Sequence, residues 1–151
     1  MKRVLIILGS KTDEPVCKGA TEILTSFDLD YEFQVSSAHR NPERTMQLAR
    51  QAEAEGFEVI IAAAGMAAHL PGVIAAHSVL PVIGLPIASG ALNGVDALYS
   101  IVQMPPGVPV ACVGINNARN AALLAIQILA GKDAELREKF RIYKASLANP
   151  A

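Results

Sequence analysis

The sequence has no tryptophan, two cysteines and few aromatic residues, which make up 5% of the chain. Cys17 and Cys112 stand far apart and lack the spacing of metal ligands. A disulfide framework or a structural zinc site is therefore not expected. The cysteines are predicted to be reduced, partly buried thiols, and we expect a cytoplasmic protein.

The chain also lacks a long hydrophobic run and a block of basic residues. No apolar run reaches the roughly 18–20 residues that span a bilayer. The apolar run Val4–Leu8 follows Lys2 and Arg3 but leads at once into Gly9, which indicates a first strand rather than a signal peptide. The net charge is −1, so nucleic-acid binding has no electrostatic support. We expect neither a membrane nor a nucleic acid as a partner.

Apolar residues, by contrast, are abundant. They form 52% of 151 residues, and the mean hydropathy is +0.34. This length suits a single domain, residues 1–151, and a chain so short has much surface for its volume. Surplus apolar side chains on helices predicted near residues 71–78 and 117–130 would need cover from other subunits, so we expect a homo-oligomer.

Short β-branched runs alternate with longer helical patterns along the whole chain. The runs are largely apolar on consecutive residues, as in parallel strands buried on both faces. This alternation predicts an α/β fold, a three-layer α/β/α sandwich around a five-stranded parallel sheet. The predicted strands are Val4–Leu8, Tyr31–Val35, Val59–Ala63, Val82–Leu85 and Val110–Val113.

Helices are predicted over residues 15–27, 42–55, 71–78, 94–102, 117–130 and 133–147. Asn41 and Pro42 make a good helix start, with Asn as the N-cap and Pro in the first turn. Gly56 and Gly131 are predicted to end the second and fifth helices. In such a fold, ligands bind beyond the carboxyl ends of the strands. The loops at that edge should be residues 9–14, 36–40, 64–70 and 88–93, and most of the unusual residues of the chain fall in them.

The first of these loops contains Ser10, Thr12 and Asp13. A glycine, two hydroxyls and a helix N-terminus suit a phosphate group, and Asp13 could accept hydrogen bonds from ribose hydroxyls. The alternative is that Thr12 or Asp13 only caps the first helix, and the sequence leaves both interpretations open.

The second loop reads Ser37-Ala38-His39-Arg40. Arg40 can hold a phosphate with two hydrogen bonds, and Ser37 can add a hydroxyl. Histidine both gives and takes a proton near neutral pH, which makes His39 the candidate acid–base group. The alternative, a surface His-Arg pair, is disfavoured because a cation near a helix N-terminus opposes the helix dipole.

The third and fourth loops are less specific. Small residues from Gly65 to Ala68 allow a ligand to approach the backbone, and His69 either lines the pocket or is structural. His77 is expected to be structural or at a subunit contact. In the fourth loop, we interpret Asn93 and Asp96 as caps of the fourth helix.

Six stretches, in order along nearly the whole chain, resemble the PurE family, the class I enzymes called N5-carboxyaminoimidazole ribonucleotide mutase. They are Gly-Ser-Lys-Thr-Asp at 9–13, Ser-Ala-His-Arg at 37–40, Ala-Ala-His-Leu-Pro-Gly at 67–72, Leu-Asn-Gly-Val-Asp at 92–96, Ser-Ile-Val-Gln-Met-Pro at 100–105 and Asn-Ala-Ala-Leu-Leu at 120–124. Each stretch alone is weak evidence, but their shared order makes chance similarity very improbable.

The resemblance implies a flavodoxin-like fold, a homo-octamer with sites at subunit contacts, and a mutase acting in purine biosynthesis without a metal, ATP or organic cofactor. By the same resemblance His39 is the catalytic histidine, and Ser10, Asp13 and Arg40 contact the nucleotide substrate. Further contacts, with less support, are Thr12, Ser37, Ala38, Gly65, Ala68, His69 and Leu70. The family usually has Gly where Met66 stands, so contacts at 65–67 differ most from its pattern.

Three other functions fit the sequence less well. A related class carboxylates aminoimidazole ribonucleotide directly with CO2, but it carries Lys where this chain has Arg40 and an Arg-Ser-Asn element in the third loop. A non-catalytic nucleotide-binding module would have no need of His39. A flavodoxin-like electron carrier is disfavoured because the first loop is not rich in Ser and Thr and aromatic residues are few.

Overall fold

The computed structural model describes residues 1–149, which surround a five-stranded parallel sheet. The spatial order is β2-β1-β3-β4-β5, the order of flavodoxin-like sheets, in which the chain changes direction between β1 and β3. The predicted fold is therefore confirmed. The strands are β1 (Val4–Leu8), β2 (Tyr31–Val35), β3 (Val59–Gly65), β4 (Val82–Ile87) and β5 (Ala111–Cys112).

Helices cover both faces of the sheet. They are α1 (Glu14–Ser26), α2 (Pro42–Gln51), α3 (Leu70–His77), α4 (Val95–Val102), α5 (Ala118–Ala130) and α6 (Ala134–Ser146). One core cluster joins the sheet to α1, α5 and α6, and the other joins it to α2, α3 and α4. In the part of the chain that the structure describes, no helix combines the length and apolarity needed to cross a membrane.

The consecutive apolar residues of the central strands are explained by these two cores. Along β1, Val4, Ile6 and Leu8 face the first cluster, whereas Leu5 and Ile7 face the second. All five residues are buried, as the sequence pattern predicts for a strand covered on both faces. The edge strand β2 differs, since its side chains are half-buried or exposed and its sequence alternates polar with apolar residues.

Element ends differ from the predictions where local signals compete. β3 and β4 extend two residues further, to Gly65 and Ile87, so Gly65 belongs to a strand rather than to a loop. β5 pairs with β4 only through Ala111 and Cys112, which leaves Val110 and Val113 outside the strand.

Helix caps test the turn chemistry directly. Asn41 is the N-cap of α2 and accepts a hydrogen bond from the Arg44 amide, as predicted. However, α2 ends at Gln51, and Gly56 ends the turn that follows it, at a φ of 94°. The predicted capping of α4 is wrong, because its N-cap is Gly94 and no side chain caps it. Gly131 caps α5 as predicted, although with right-handed backbone angles.

Both cysteines are free thiols. Cys17 is buried in the first core cluster and Cys112 is half-buried. Burial, with the nearby charges of Asp13 and Glu14, raises the pKa of the Cys17 thiol to about 12. The thiol of Cys17 is therefore protonated at neutral pH and behaves as a small apolar side chain.

Candidate functional site

A cleft of about 460 Å³ opens at the carboxyl ends of the strands, where the sheet changes direction. Loops after β1, β2, β3 and β4 all contribute to its walls. Its lining residues are Gly9, Ser10, Thr12, Asp13, Ser37, Ala38, His39, Arg40, Ala64, Gly65, Met66, Ala67, His69, Leu70 and Ser89. All predicted site residues except Ala68 are thus brought to one cleft, although they come from three separate loops.

The first loop begins with a short 3-10 turn, residues 11–13, before α1. The Ser10 hydroxyl lies 2.8 Å from the Thr12 hydroxyl and accepts a hydrogen bond from the Thr12 amide. Asp13 is the N-cap residue of α1, but its side chain makes no capping hydrogen bond. The interpretation that Thr12 or Asp13 only caps the helix is therefore not supported, and the Asp13 carboxylate lines the cleft instead.

Burial of the Asp13 carboxyl raises its pKa, and a hydrogen bond that it accepts from the Ser10 backbone opposes that rise. A carboxylate that loses hydration on folding gains from a ligand that supplies hydrogen-bond donors. Ribose hydroxyls are donors of this kind, so the electrostatics of Asp13 agree with its predicted contact.

Two buried hydroxyls contact each other at the base of the second loop. Ser36 and Thr45 are both buried, and their oxygens lie 2.7 Å apart. Above them, the Arg40 amide donates to the Ser37 hydroxyl at 3.1 Å. This turn leaves the side chains of His39 and Arg40 exposed at the cleft. Over residues 1–149, no carboxylate forms a salt bridge with the Arg40 guanidinium.

The third loop is wound tightly between β3 and α3. Met66 has a φ of 53°, in the left-handed region, and the Ala68 amide donates to the Met66 carbonyl at 2.8 Å. The His69 amide donates to the Ala67 carbonyl at the same distance. Ala68 is buried against the second core cluster and does not line the cleft. These turns raise the His69 side chain into the cleft, beside Leu70.

His39 and His69 contact each other across the cleft. The Nε2 atom of His39 lies 2.6 Å from the Nδ1 atom of His69, and the rings meet edge to face with centroids 4.7 Å apart. One of the two facing nitrogens must donate and the other accept, so a single proton lies between them. Two imidazolium rings are incompatible with this contact, because both facing nitrogens would then carry hydrogen.

The sequence left the role of His69 open and gave no signal for this contact. His39 follows β2 and His69 follows β3, and β1 lies between those strands. Gly9, Ala64, Ala67 and Ser89 also line the cleft without having been singled out as contacts. Each stands at or just after a strand end, and that position is the signal that could have identified it.

The fourth loop closes one end of the cleft at Ser89. The Asn116 side chain accepts a hydrogen bond from the Ala88 amide at 2.9 Å and so ties this loop to the segment after β5. Between residues 1 and 149, no three His, Cys, Asp or Glu side chains converge as ligands of a metal ion would.

A cavity of about 640 Å³ on the outer side of β2 and α1 is the principal alternative location. It contains no histidine, and it is lined mainly by α1 and β2 rather than by several of the loops that follow the strands. Its lining residues are Lys11, Glu14, Pro15, Lys18, Thr21, Tyr31 and Phe33. The cleft with the histidine pair has the acid–base chemistry and the position expected of a catalytic site.

Comparison with known proteins identifies relatives along almost the whole chain. Residues 3–149 match the family model described as AIR carboxylase. The chain is 58% identical over 147 residues to a Pyrococcus abyssi protein named N5-carboxyaminoimidazole ribonucleotide mutase, covering 97% of this chain and 84% of that one. A Saccharolobus solfataricus protein of the same name is 56% identical over 149 residues, 99% of this chain and 94% of its own.

The same name belongs to an Escherichia coli protein that is 49% identical over 144 residues, 94% of this chain and 85% of its own. Among solved structures, Treponema denticola PurE superimposes with a TM-score of 0.89 at 29% identity. That match covers 98% of this chain and 92% of the other.

Proposed function

The chain belongs to the AIR carboxylase family, and we propose that it converts N5-carboxyaminoimidazole ribonucleotide to 4-carboxy-5-aminoimidazole ribonucleotide in purine biosynthesis. The observation that carries the proposal is the cleft in which the acid–base group His39 stands beside Arg40. Relatives that are 49–58% identical are named for this mutase reaction. Such an enzyme is an isomerase, and the pathway makes a cytoplasmic location the expected one.

In the proposed binding mode, Arg40 pairs with the phosphate and the hydroxyl of Ser10 adds a hydrogen bond. Arg40 is available because no carboxylate between residues 1 and 149 forms a salt bridge with it. Asp13 accepts hydrogen bonds from the ribose, which replace the hydration lost on burial. Thr12 and Ser37 supply further hydroxyls at the same edge. These contacts hold the aminoimidazole ring in place, and that positioning supplies much of the rate enhancement.

The proposed chemistry needs a group that donates a proton to the substrate and later removes one from it. His39 protonates the exocyclic nitrogen as the bond from that nitrogen to the carboxylate carbon breaks. The bonding electron pair stays on nitrogen, and CO2 is released in the cleft. The C4 carbon of the aminoimidazole then attacks CO2, and His39 removes the proton from C4 to restore aromaticity. One histidine acting as acid and then as base returns to its starting state.

His69 has a positioning role in this scheme. Its contact with His39 at 2.6 Å couples the tautomers of the two rings, because only one of the facing nitrogens carries hydrogen. The apolar wall next to it, formed by Ala38, Gly65 and Leu70, limits the access of water to the reacting atoms.

A homo-octamer is the assembly we propose from the family resemblance, and the large apolar side chains that the structure leaves exposed support association. On α4 and the loop before it, Leu92, Val95, Tyr99 and Val102 are 61%, 43%, 62% and 49% exposed. Of these, Val95, Tyr99 and Val102 recur at helical spacing and form one stripe on α4. Light scattering tests this part of the proposal, and a stable 15.9 kDa monomer at micromolar concentration would contradict it.

A direct experiment supplies each candidate substrate separately, with and without bicarbonate. The mutase forms the C4-carboxylated product from N5-carboxyaminoimidazole ribonucleotide, at a rate that added bicarbonate does not change. Product from aminoimidazole ribonucleotide and bicarbonate alone would instead indicate the direct carboxylase. Nucleotide binding with no product from either substrate would indicate a non-catalytic module.

A further inference from the structure

Met66 stands in a backbone conformation that its side chain does not favour. Between residues 1 and 149, four non-glycine residues have a positive φ, and only Met66 lines the cleft. Glycine would adopt this conformation without steric cost. A strained residue at a binding site indicates that something in its side chain or its position has a use there. The four residues are Asp28, Met66, Asn93 and Asn116.

The Met66 side chain extends from the loop after β3 towards the loop after β4. A Cβ atom built on Gly90 would lie 3.6 to 3.8 Å from the Cε, Cγ and Sδ atoms of Met66. At the base of the same two loops, a Cβ on Gly65 would lie 3.2 Å from the Cβ of Ser89. The two loops are therefore close at their base, and the thioether extends their shared wall outward.

We propose that the Met66 side chain covers this side of the cleft and retains CO2 between its release from nitrogen and its capture at C4. The inference rests on the proposed function. CO2 is small and uncharged, so the cation and hydroxyls that hold a phosphate bind it only weakly. Its retention therefore depends on how completely the walls of the cleft enclose it. Met66 is 56% exposed and flexible, so its thioether can move aside for substrate entry and then return.

The proposed retention is separate from the covalent chemistry. No bond to Met66 forms or breaks, and the carboxylate carbon that leaves nitrogen is the one that reaches C4. If CO2 escapes before capture, the protonated nitrogen stays as the free amine and aminoimidazole ribonucleotide is released. Escape therefore changes the ratio of two products and need not change the use of substrate.

The test uses N5-carboxyaminoimidazole ribonucleotide labelled with carbon-13 at the carbamate, in unlabelled bicarbonate buffer. Two quantities are measured by mass spectrometry: the aminoimidazole ribonucleotide released and the label retained in the product. The decay without enzyme is subtracted. Met66→Ala removes the side chain and keeps an L-residue, Met66→Gly also relieves the backbone, and Met66→Leu keeps apolar bulk as the matched control.

Wild type and Met66→Leu should retain the label. In both Met66→Ala and Met66→Gly, the released fraction should rise roughly fivefold, equivalent to an escape barrier lower by about 1 kcal/mol. If both variants released the same fraction of aminoimidazole ribonucleotide as the wild type, the role of Met66 would be overturned. The proposed mutase activity would be unaffected by that result. Leakage in the Gly variant alone would also overturn the role of Met66, because the backbone would then be responsible. If the wild type makes no C4-carboxylated product, the proposed function itself fails.

Discussion

The Nε2 atom of His39 and the Nδ1 atom of His69 lie 2.6 Å apart, although thirty residues separate them in the chain. The contact joins the candidate proton shuttle to a second titratable ring. Only one of the facing nitrogens can carry hydrogen, so the state of either ring constrains the other. We therefore expect His69 to act through His39, and variants of His69 test that coupling.

Replacing the His69 imidazole with a ring that cannot form hydrogen bonds should slow turnover without abolishing it. In His69→Phe the hydrogen bond that couples the two rings is lost. A bond of this kind is worth roughly 0.5–1.5 kcal/mol, so we expect kcat to fall about 2- to 13-fold. Nitrogen-15 NMR of the His39 ring should change from one predominant tautomer to a mixture. Unchanged tautomer signals together with unchanged kcat would mean that the contact has no part in the mechanism.

Arg40 is predicted to be a substrate anchor. Arg40→Ala should weaken nucleotide binding by roughly 1.5–3 kcal/mol, the range for hydrogen bonds to charged groups. Arg44→Ala is the matched control, because the Arg44 guanidinium donates to Gln34 and does not line the cleft. Titration calorimetry on both variants measures the difference, and equal affinities would remove Arg40 from the site.

Asp13 should show opposite effects on stability and on binding. Its raised folded-state pKa means that it contributes stability below its unfolded pKa, and this contribution is lost as pH rises through the folded value. Asp13→Asn should therefore raise the Tm at pH 7. The gain in the free energy of unfolding should be less than about 1 kcal/mol, because the carboxyl is partly solvated. The gain should vanish at acid pH, where both side chains are neutral. Nucleotide affinity should fall, and a variant that binds as tightly as wild type would contradict the ribose contact.

The N-cap of α2 tests how much the Asn41 side chain contributes to stability. Asn41→Ala should lower the free energy of unfolding by about 1 kcal/mol, because the Arg44 amide loses its hydrogen-bond acceptor. Asn41→Thr should cost only a few tenths of that, since both residues cap well. Urea unfolding measures both changes, provided that the dependence of the unfolding free energy on urea concentration is unchanged. Equal losses of stability in the two variants would show that the side-chain cap contributes nothing specific.

Local signals explain why much of the fold was predictable. Asn41 and Pro42 mark the start of α2 locally, and the consecutive apolar residues of β1 indicate burial on both faces. The cap of α4 was predicted wrongly because Asn93 and Asp96 are good capping residues in general. Here Asn93 has a φ of 51°, and Gly94 takes the cap position at 93°. Backbone angles set by the surrounding loop decided the outcome.

The candidate site was predictable only in part, for a related reason. Position after a strand end identifies His39, Arg40 and Asp13 as residues of one sheet edge. The meeting of His39 with His69 depends on the path of the loop through Met66, whose φ of 53° is atypical for its residue type. No pattern of neighbouring residues encodes that path, so it required the three-dimensional structure.

The central claim is that His39 carries the proton in both steps of the mutase reaction. Turnover of N5-carboxyaminoimidazole ribonucleotide by His39→Asn tests it most directly, because Asn keeps a polar side chain but exchanges no proton near pH 7. We predict that turnover falls by at least about 10²–10⁴-fold, the usual worth of general acid–base catalysis. Nucleotide affinity should stay within about tenfold, or 1.4 kcal/mol. Near-normal turnover by this variant would contradict the account.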